Sequence, residues 1–472
     1  MFWKYLSGLE IVQAQPPLDF IPPRLNPSVL RVSQRVLPLW LKWQTPLTEI
    51  AADRVEILAE LYHQLQQGKI RFLMAFRHPS LNDPYCMAYL LWKLVPQVAR
   101  QQGIALQSPI HAHFLYDRGI PLWAGPAFSW FASRLGGTSI QRGKLDIPGL
   151  RSARTLFANS AFPMAAAPEG ATNGHNEIVS PLEPGIAQLS FWCLEDLLKA
   201  QRAEEVFVVP IGIQYHYLIP PWKAIAQLLT QLETESGLPT ATPTADSADA
   251  AALYQRLYRL GEHLLSLMEN FYREFYHQSL PAIPAPATLD RQHANGVLAT
   301  RLQNLLNVAL QVAEQYFNIQ ANGTLVERCR RIEQAGWDCI YREELKPTHV
   351  LSAVERGLAD RVAEEASLRM WHMRLVESFV AVTGYYVKEK PSAERFADTA
   401  LLLWDFLARI KGKNGFSRPQ LGKQRVQMAV GNPISISARR TDYQANRRQA
   451  VANLTQDLQS ALEAMLTSVR LV

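Results

Sequence analysis

The sequence predicts an α/β protein: a mainly parallel sheet flanked by helices, with a large all-helical region in the same chain. Three observations carry this. Short apolar runs of strand length, Ile70–Phe76, Phe162–Ala167 and Val206–Ile213, alternate with stretches of helical periodicity, which is the pattern of βαβ units. After Pro220 the apolar residues recur at helical spacing, with no strand pattern until Arg425. And 472 residues, 48% hydrophobic and 19% charged, are enough to bury a core and too many for one ordinary domain.

Taken in order, residues 1–27 read as an irregular lead-in, because Pro16, Pro17, Pro22, Pro23 and Pro27 discourage regular structure. Lys4 and Glu10 precede any long apolar core, so no secretory signal is expected. Ser28–Gln44 mixes Trp40, Trp43 and several leucines with Arg31, Arg35 and Lys42. It fits either a membrane-interface segment or an amphipathic helix packed on its own domain, interrupted at Pro38. Ile50–Gln67 predicts an amphipathic helix closed by Gly68.

Ile70–Phe76 is a buried strand by pattern, and Pro79 forces the chain out of it just after His78. Asp83 before Pro84 is a helix-start signal, and Tyr85–Trp92 is the helix, bent or ended near Pro96. A turn between them lets His78 and Asp83 meet. A carboxylate on one imidazole nitrogen fixes the tautomer that lets the other take a proton from a hydroxyl. The bland alternative is a loop histidine and a capping aspartate.

Pro109–Tyr116 predicts a strand whose His111 and His113 face one side, as a polar network sooner than as metal ligands. Leu122–Leu135, apolar and aromatic, is either a core helix or a wall for an apolar substrate, and Gly136–Gly143 is a tight turn and short strand ending at Arg142. Phe162–Ala167 runs into Pro168-Glu169-Gly170, and Trp192–Arg202 is the helix before Val206–Ile213. His78, Arg142 and Glu169 thus all fall at strand ends, where open α/β sheets collect their ligand-binding residues.

Thr240–Ala251 and Pro281–Pro286 read as linkers, and Gly296–Phe317, His349–Tyr386 and Ala393–Ile410 as helices. Arg425–Ile436 alternates as a strand broken by a turn at Gly431-Asn432-Pro433, and Tyr443–Ser468 is a closing helix. Around that strand lie Lys411, Lys413, Arg418, Lys423, Arg425, Arg439, Arg440, Arg447 and Arg448, opposed locally by Asp442. With a net charge of +6 the chain favours an anionic partner. Nucleic acid is not expected, since the basic region lacks interleaved aromatics and any helix-turn-helix signal. Cys86, Cys193, Cys329 and Cys339 have no metal-type spacing, so reduced thiols and no metal site are expected. No apolar run approaches the ~20 residues of a spanning helix.

In this order the motifs resemble those of the glycerolipid acyltransferase family, the lysophosphatidate-acyltransferase type. The resemblance rests on His78-Pro-Ser-Leu-Asn-Asp83, Gly137-Thr-Ser-Ile-Gln-Arg142, Pro168-Glu169-Gly170, Val209-Pro210-Ile211 and Val430-Gly431-Asn432-Pro433-Ile434. It implies an acyltransferase fold over 50–222 and 424–472, with 1–49 a lead-in and 223–423 a helical insertion. It also implies transfer of a fatty acyl group from acyl-CoA or acyl carrier protein to a glycerol-phosphate or lysophospholipid hydroxyl. His78 would be the base and Asp83 its partner, while Arg142, Glu169, Gly170 and Gly137 would form the acceptor site. The enzyme would need no cofactor and would act as a peripheral protein on the cytoplasmic side of a membrane. Two departures matter. Arg77 precedes His78, where the family commonly has asparagine or a similar residue. The family follows Pro-Glu-Gly with Thr-Arg, and here Ala171-Thr172-Asn173 stands there. Arg77 or Lys144 would then supply the missing charge, or the acceptor is not a simple lysophosphatidate.

Overall fold

The protein was analysed as a computed structural model that describes residues 12–142, 145–239, 249–281, 291–346, 351–380, 382, 384–413 and 418–468. Lys144 and most of the two linker-like stretches lie outside them. The chain forms two compact units, one from Phe20–Pro220 with Gly422–Val472, the other from Met1–Asp19 with Pro221–Leu421. Residues expected as a single lead-in are therefore divided between the units.

The first unit begins with helix α1 (Pro27–Gln44), capped by the Asn26 side chain on the Ser28 and Val29 amides. Pro38 does not interrupt it as expected: Leu37 and Leu41 are buried on either side and hold the helix through the proline. The expected helix over Ile50–Gln67 is also corrected. Its first part is strand β1 (Leu47–Asp53), and only Val55–Gln66 is helix α2, entered through Arg54 in the left-handed region at φ 59°. Strand β2 (Ile70–Phe76) falls where the apolar run placed it. Helix α3 (Asp83–Tyr89) continues through a wide π turn at Leu90–Leu94 into α4 (Val95–Gln101). Pro96 follows directly on the π turn, whose wider winding accommodates a residue without an N–H, so the helix runs past it without ending.

Strand β3 (His113–Asp117) is followed by α5 (Ile120–Ala124) and α6 (Pro126–Arg134), split at Gly125 with φ 84° where one helix was expected. Then come β4 (Thr138–Ile140), α7 (Ile147–Asn159), β5 (Met164–Ala166), α8 (Gly185–Lys199) and the long β6 (Glu205–Tyr217).

The second unit contributes α9 (Trp222–Glu235), α10 (Ala250–Phe275), α11 (Arg291–Phe317), α12 (Leu325–Ile340), α13 (Ala353–Phe379), α14 (Tyr386–Glu389) and α15 (Ala393–Ile410). No strand occurs among its described residues. Its core includes charged pairs. Arg328 donates to Glu314 through two nitrogens at 2.7 and 2.8 Å, and Arg256 does the same to the fully buried Glu233 at 3.1 and 2.8 Å. Such pairs fix geometry, because removing either partner strands a charge.

The chain then returns to the sheet with β7 (Gln424–Val430), β8 (Ile434–Ser435), α16 (Arg440–Ala445) and α17 (Arg447–Ser468). The strand order is β1-β7-β6-β2-β5-β3-β4. From β6 to β4 all neighbours run parallel, while β7 and β8 lie antiparallel to β6 and β1 parallel to β7. The sheet is mixed and mostly parallel. Val430 pairs with Ile211 and Ile434 with Val208, so Gly431-Asn432-Pro433 is a one-residue bulge along β6 and not a reversing turn.

Alternation along the strands builds two cores. Phe72, Met74 and Phe76 of β2 and Val209, Ile211, Ile213 and Tyr215 of β6 face α2, α3 and the π turn. Leu73 and Ala75, with Val206 and Val208, face α7, α8 and α17.

The basic run expected around Lys411–Arg448 meets carboxylates from distant sequence. In the helical unit Lys411 pairs with Glu235 and Arg418 with Asp405. In the α/β unit Arg439 pairs with Asp457 and Arg447 with Glu195.

His111 and His113 form the polar network expected of them. His111 Nδ1 accepts from the Trp92 indole at 3.2 Å and its Nε2 meets the Leu135 carbonyl at 2.8 Å. His113 reaches the Gly136 carbonyl at 2.8 Å and Ser160 Oγ at 2.6 Å. Burial pushes His111 down from 6.5 to about 4. A folded value below the unfolded one means that protons favour the unfolded chain between these values. Stability from this site is complete above pH 6.5 and is lost as pH falls toward 4, by about 3 kcal/mol. Urea unfolding across this range should show that loss, and His111→Gln should flatten the pH dependence.

Candidate active site

The strands β2, β5, β3 and β4 all end on the same edge of the sheet, and His78, Asp83, Arg142, Glu169 and Gly170 gather there. His78 follows β2 and Asp83 opens α3. His78 Nδ1 lies 2.9 Å from Asp83 Oδ2, with Asp83 fully buried and the imidazole one-fifth exposed. Asp83 Oδ2 also accepts the Ser80 amide at 2.8 Å, and Oδ1 accepts the Tyr215 hydroxyl. Two of these three neighbours are a backbone amide and a phenol aimed at the carboxylate, so His78 Nδ1 also donates to it. The lone pair is left on Nε2. Tyr215 lies on the β6 face that packs on α3, and burial, then the Asp83 charge, push its hydroxyl well up, so it stays protonated.

Nε2 points at a hydroxyl. Thr172 Oγ1 stands 2.9 Å from it. The loop that carries Thr172 is tied on both sides. Asn173 donates its backbone N–H to the His78 carbonyl at 3.1 Å and its side-chain amide to Glu169 Oε2 at 2.5 Å. Glu169 Oε1 accepts the His78 backbone N–H at 2.8 Å, and Oε2 accepts the Ser180 amide at 2.9 Å. Burial pushes the Glu169 carboxyl above its usual range, with the Arg77 charge and these amides opposing the shift. Glu169 therefore frames the histidine through its backbone.

Arg77 is fully buried. Its Nη1 donates to the carbonyls of Asn176 and Ile213 at 2.7 and 3.1 Å, and its Nη2 to those of His175 and Ile178 at 3.1 and 2.6 Å. The arginine suggested as a replacement phosphate ligand is thus a brace between β6 and the loop 175–178. Asn176 completes the brace by exchanging two hydrogen bonds with the Tyr215 backbone, at 2.7 and 2.8 Å.

Arg142 lies just past β4, partly exposed. Its Nε donates to Asp117 Oδ2 at 2.8 Å and its Nη1 to the Gly170 carbonyl. Gly170 has φ 73°, and a Cβ there would run into the Glu183 carboxylate, so only glycine fits. Arg142, Gly170, Glu169 and His78 are thereby linked through one loop. Gly137 is not part of this edge. It lies at the opposite end of β4, where a Cβ would stand 2.6 Å from the Phe114 ring, and its role is close packing.

No protein-family model and no curated protein matches this chain. The site is therefore read from its own geometry.

Four contributors went unnoticed in the sequence: Thr172, Tyr215, Asp117 and Asn173. Thr172 and Asn173 stood in view as the departure from Thr-Arg, and only the fold shows that the threonine meets the histidine. Among the described residues no group of three or more His, Cys, Asp or Glu side chains is arranged to hold a metal ion.

Proposed function

We propose that this protein is an acyltransferase, moving a fatty acyl group from acyl-CoA or acyl carrier protein to a glycerol-phosphate or lysophospholipid hydroxyl. The observation that carries the reading is the Asp83–His78 pair, whose Nε2 already meets a hydroxyl, that of Thr172, at 2.9 Å. An acceptor hydroxyl placed at Nε2 gives up its proton as its oxygen attacks the thioester carbonyl, and Asp83 stabilises the imidazolium. His78 then returns the proton to the departing thiolate. Arg142 brings positive charge to the same edge for an acceptor phosphate, in competition with Asp117.

The surface of α1 supports action at a lipid interface. Val32, Val36, Leu39, Trp40 and Trp43 recur at helical spacing as one exposed stripe, with Trp43 73% exposed. Arg31, Arg35 and Lys42 flank it, and Leu30, Leu37 and Leu41 face the core on the other side. Among the described residues no helix is long and apolar enough to cross a membrane. Val36→Glu with Trp43→Glu should weaken cosedimentation with anionic vesicles at least tenfold, since each large side chain inserted contributes about 1.5–3 kcal/mol. Unchanged binding would remove α1 from the interface.

A second reading is a lipid- or carrier-protein-binding module without turnover. It draws on the engagement of Arg77 and Arg142 by protein atoms and on Thr172 standing at Nε2. The test offers the purified protein palmitoyl-CoA and palmitoyl-loaded acyl carrier protein on vesicles. The acceptors are glycerol 3-phosphate, lysophosphatidate and an uncharged lysolipid. Transfer to one acceptor is the expected result; vesicle binding with no transfer to any of them sinks the acyltransferase reading.

A further inference from the structure

Thr172, His78 and Asp83 stand in the order nucleophile, base, orienting carboxylate, with both hydrogen bonds at 2.9 Å. We propose that Thr172 is itself acylated, so that transfer passes through a covalent acyl-threonine. This rests on the reading of the site as acting on acyl thioesters and replaces direct attack of the acceptor on the thioester by two successive transfers at the same histidine.

The geometry favours the step in three ways. The tautomer is set, because Asp83 accepts from Ser80 and Tyr215 and also accepts the hydrogen bond that His78 Nδ1–H donates. Nε2 is therefore the acceptor of the Thr172 O–H, the arrangement that activates a weak hydroxyl nucleophile. The threonine also has little freedom to drift from the imidazole. Its neighbour Asn173 is bonded to the His78 carbonyl, and Glu169, three residues before Thr172, holds the His78 amide. Finally, Arg142 brings a positive charge to the same loop through the Gly170 carbonyl, two residues before Thr172. A threonine that served only to fill space would not need its hydroxyl directed at the base.

In the first step Thr172 Oγ1 bonds to the thioester carbonyl carbon while its proton passes to His78 Nε2. The carbon–sulfur bond breaks, and the thiolate leaves with that proton as a free thiol. In the second step the acceptor hydroxyl gives its proton to Nε2 and attacks the threonyl ester. The carbon–Oγ1 bond breaks, and Thr172 recovers the proton. Water in place of the acceptor gives the free fatty acid, so slow hydrolysis of the thioester accompanies the cycle.

The full chain is mixed with palmitoyl-CoA or with palmitoyl-loaded acyl carrier protein, without acceptor, and quenched in acid. Intact mass and peptide mapping should place a palmitoyl ester on Thr172. The ester should be absent from Thr172→Val and His78→Ala and retained in Thr172→Ser. Thr172→Val should transfer no faster than His78→Ala, and combining the two should cost nothing further, because members of one catalytic unit are not additive. Thr172→Ser should restore turnover, and the palmitoyl ester it carries separates a nucleophile from a structural hydroxyl, because serine restores the hydrogen bond to Nε2 in either case. Transfer at the wild-type rate by Thr172→Val, with no ester in the wild type, overturns the covalent step and leaves the acyltransferase reading standing. An ester on Thr172 with no transfer to any acceptor does the reverse. Neither ester nor transfer in the wild type overturns both.

Discussion

Replacing His78 by alanine is expected to lower acyl transfer by about 10²–10⁴-fold, the range that a positioned general base contributes. The loss should fall on kcat, since the imidazole reaches only the reacting hydroxyl. Binding to vesicles, which the reading assigns to α1, should be unchanged. Asp83→Asn should produce a comparable loss for a different reason. The amide would offer His78 Nδ1 either a poorer acceptor or a competing donor, and the imidazole would lose the tautomer that leaves Nε2 free. Steady-state kinetics of both variants, beside their thermal midpoints, checks this. A His78→Ala protein with more than a tenth of wild-type kcat removes the histidine from the chemistry.

The second large effect is on stability. Arg77→Met is expected to destabilise the α/β unit by about 3–5 kcal/mol, since each buried carbonyl left without a donor costs about 1–3 kcal/mol. Carbonyls of His175, Asn176 and Ile213 would lose the Arg77 donor around a fully buried side chain, while that of Ile178 would keep the Asn173 side-chain amide. Arg77→Lys should recover a minor part, because an ammonium cannot present the planar fork that spans all four. Urea unfolding of the full chain measures both. Wild-type stability in Arg77→Met would mean that these carbonyls find other donors.

Much of the sheet was legible because burial leaves a plain pattern. Ile70–Phe76 and Val206–Ile213 are apolar on both faces, and both became central strands. His78 and Asp83 were legible as a pair because Pro79 and Pro84 dictate the turn that joins them. Leu47–Asp53 was not. Its local sequence suits a helix, and it becomes a strand through pairing with β7, which enters only after Gly422. Arg77 illustrates a different limit. An arginine beside a motif that resembles a catalytic one reads as a ligand for anions, and nothing local reveals that the loop 175–178 folds over it with three carbonyls while β6 supplies a fourth. Tyr215 and Asp117 were hidden in the same way, each an unremarkable strand-end residue until neighbouring strands bring it to Asp83 and Arg142.

The position of β7 between β1 and β6 has a consequence for how the chain is made. On a ribosome, β1 emerges early and its paired neighbour β7 emerges only after the whole stretch from Pro221 to Leu421. At about 5–20 residues per second that interval is roughly 10–40 s. During it the nascent chain holds the edges of β1 and β6 without their native partner, while the helices between, joined by contacts closer in sequence, are free to form first. The helical unit can thus form before the sheet is complete, and a messenger cut short before Gln424 would yield a polypeptide in which β1 and β6 lack the strand that pairs with both.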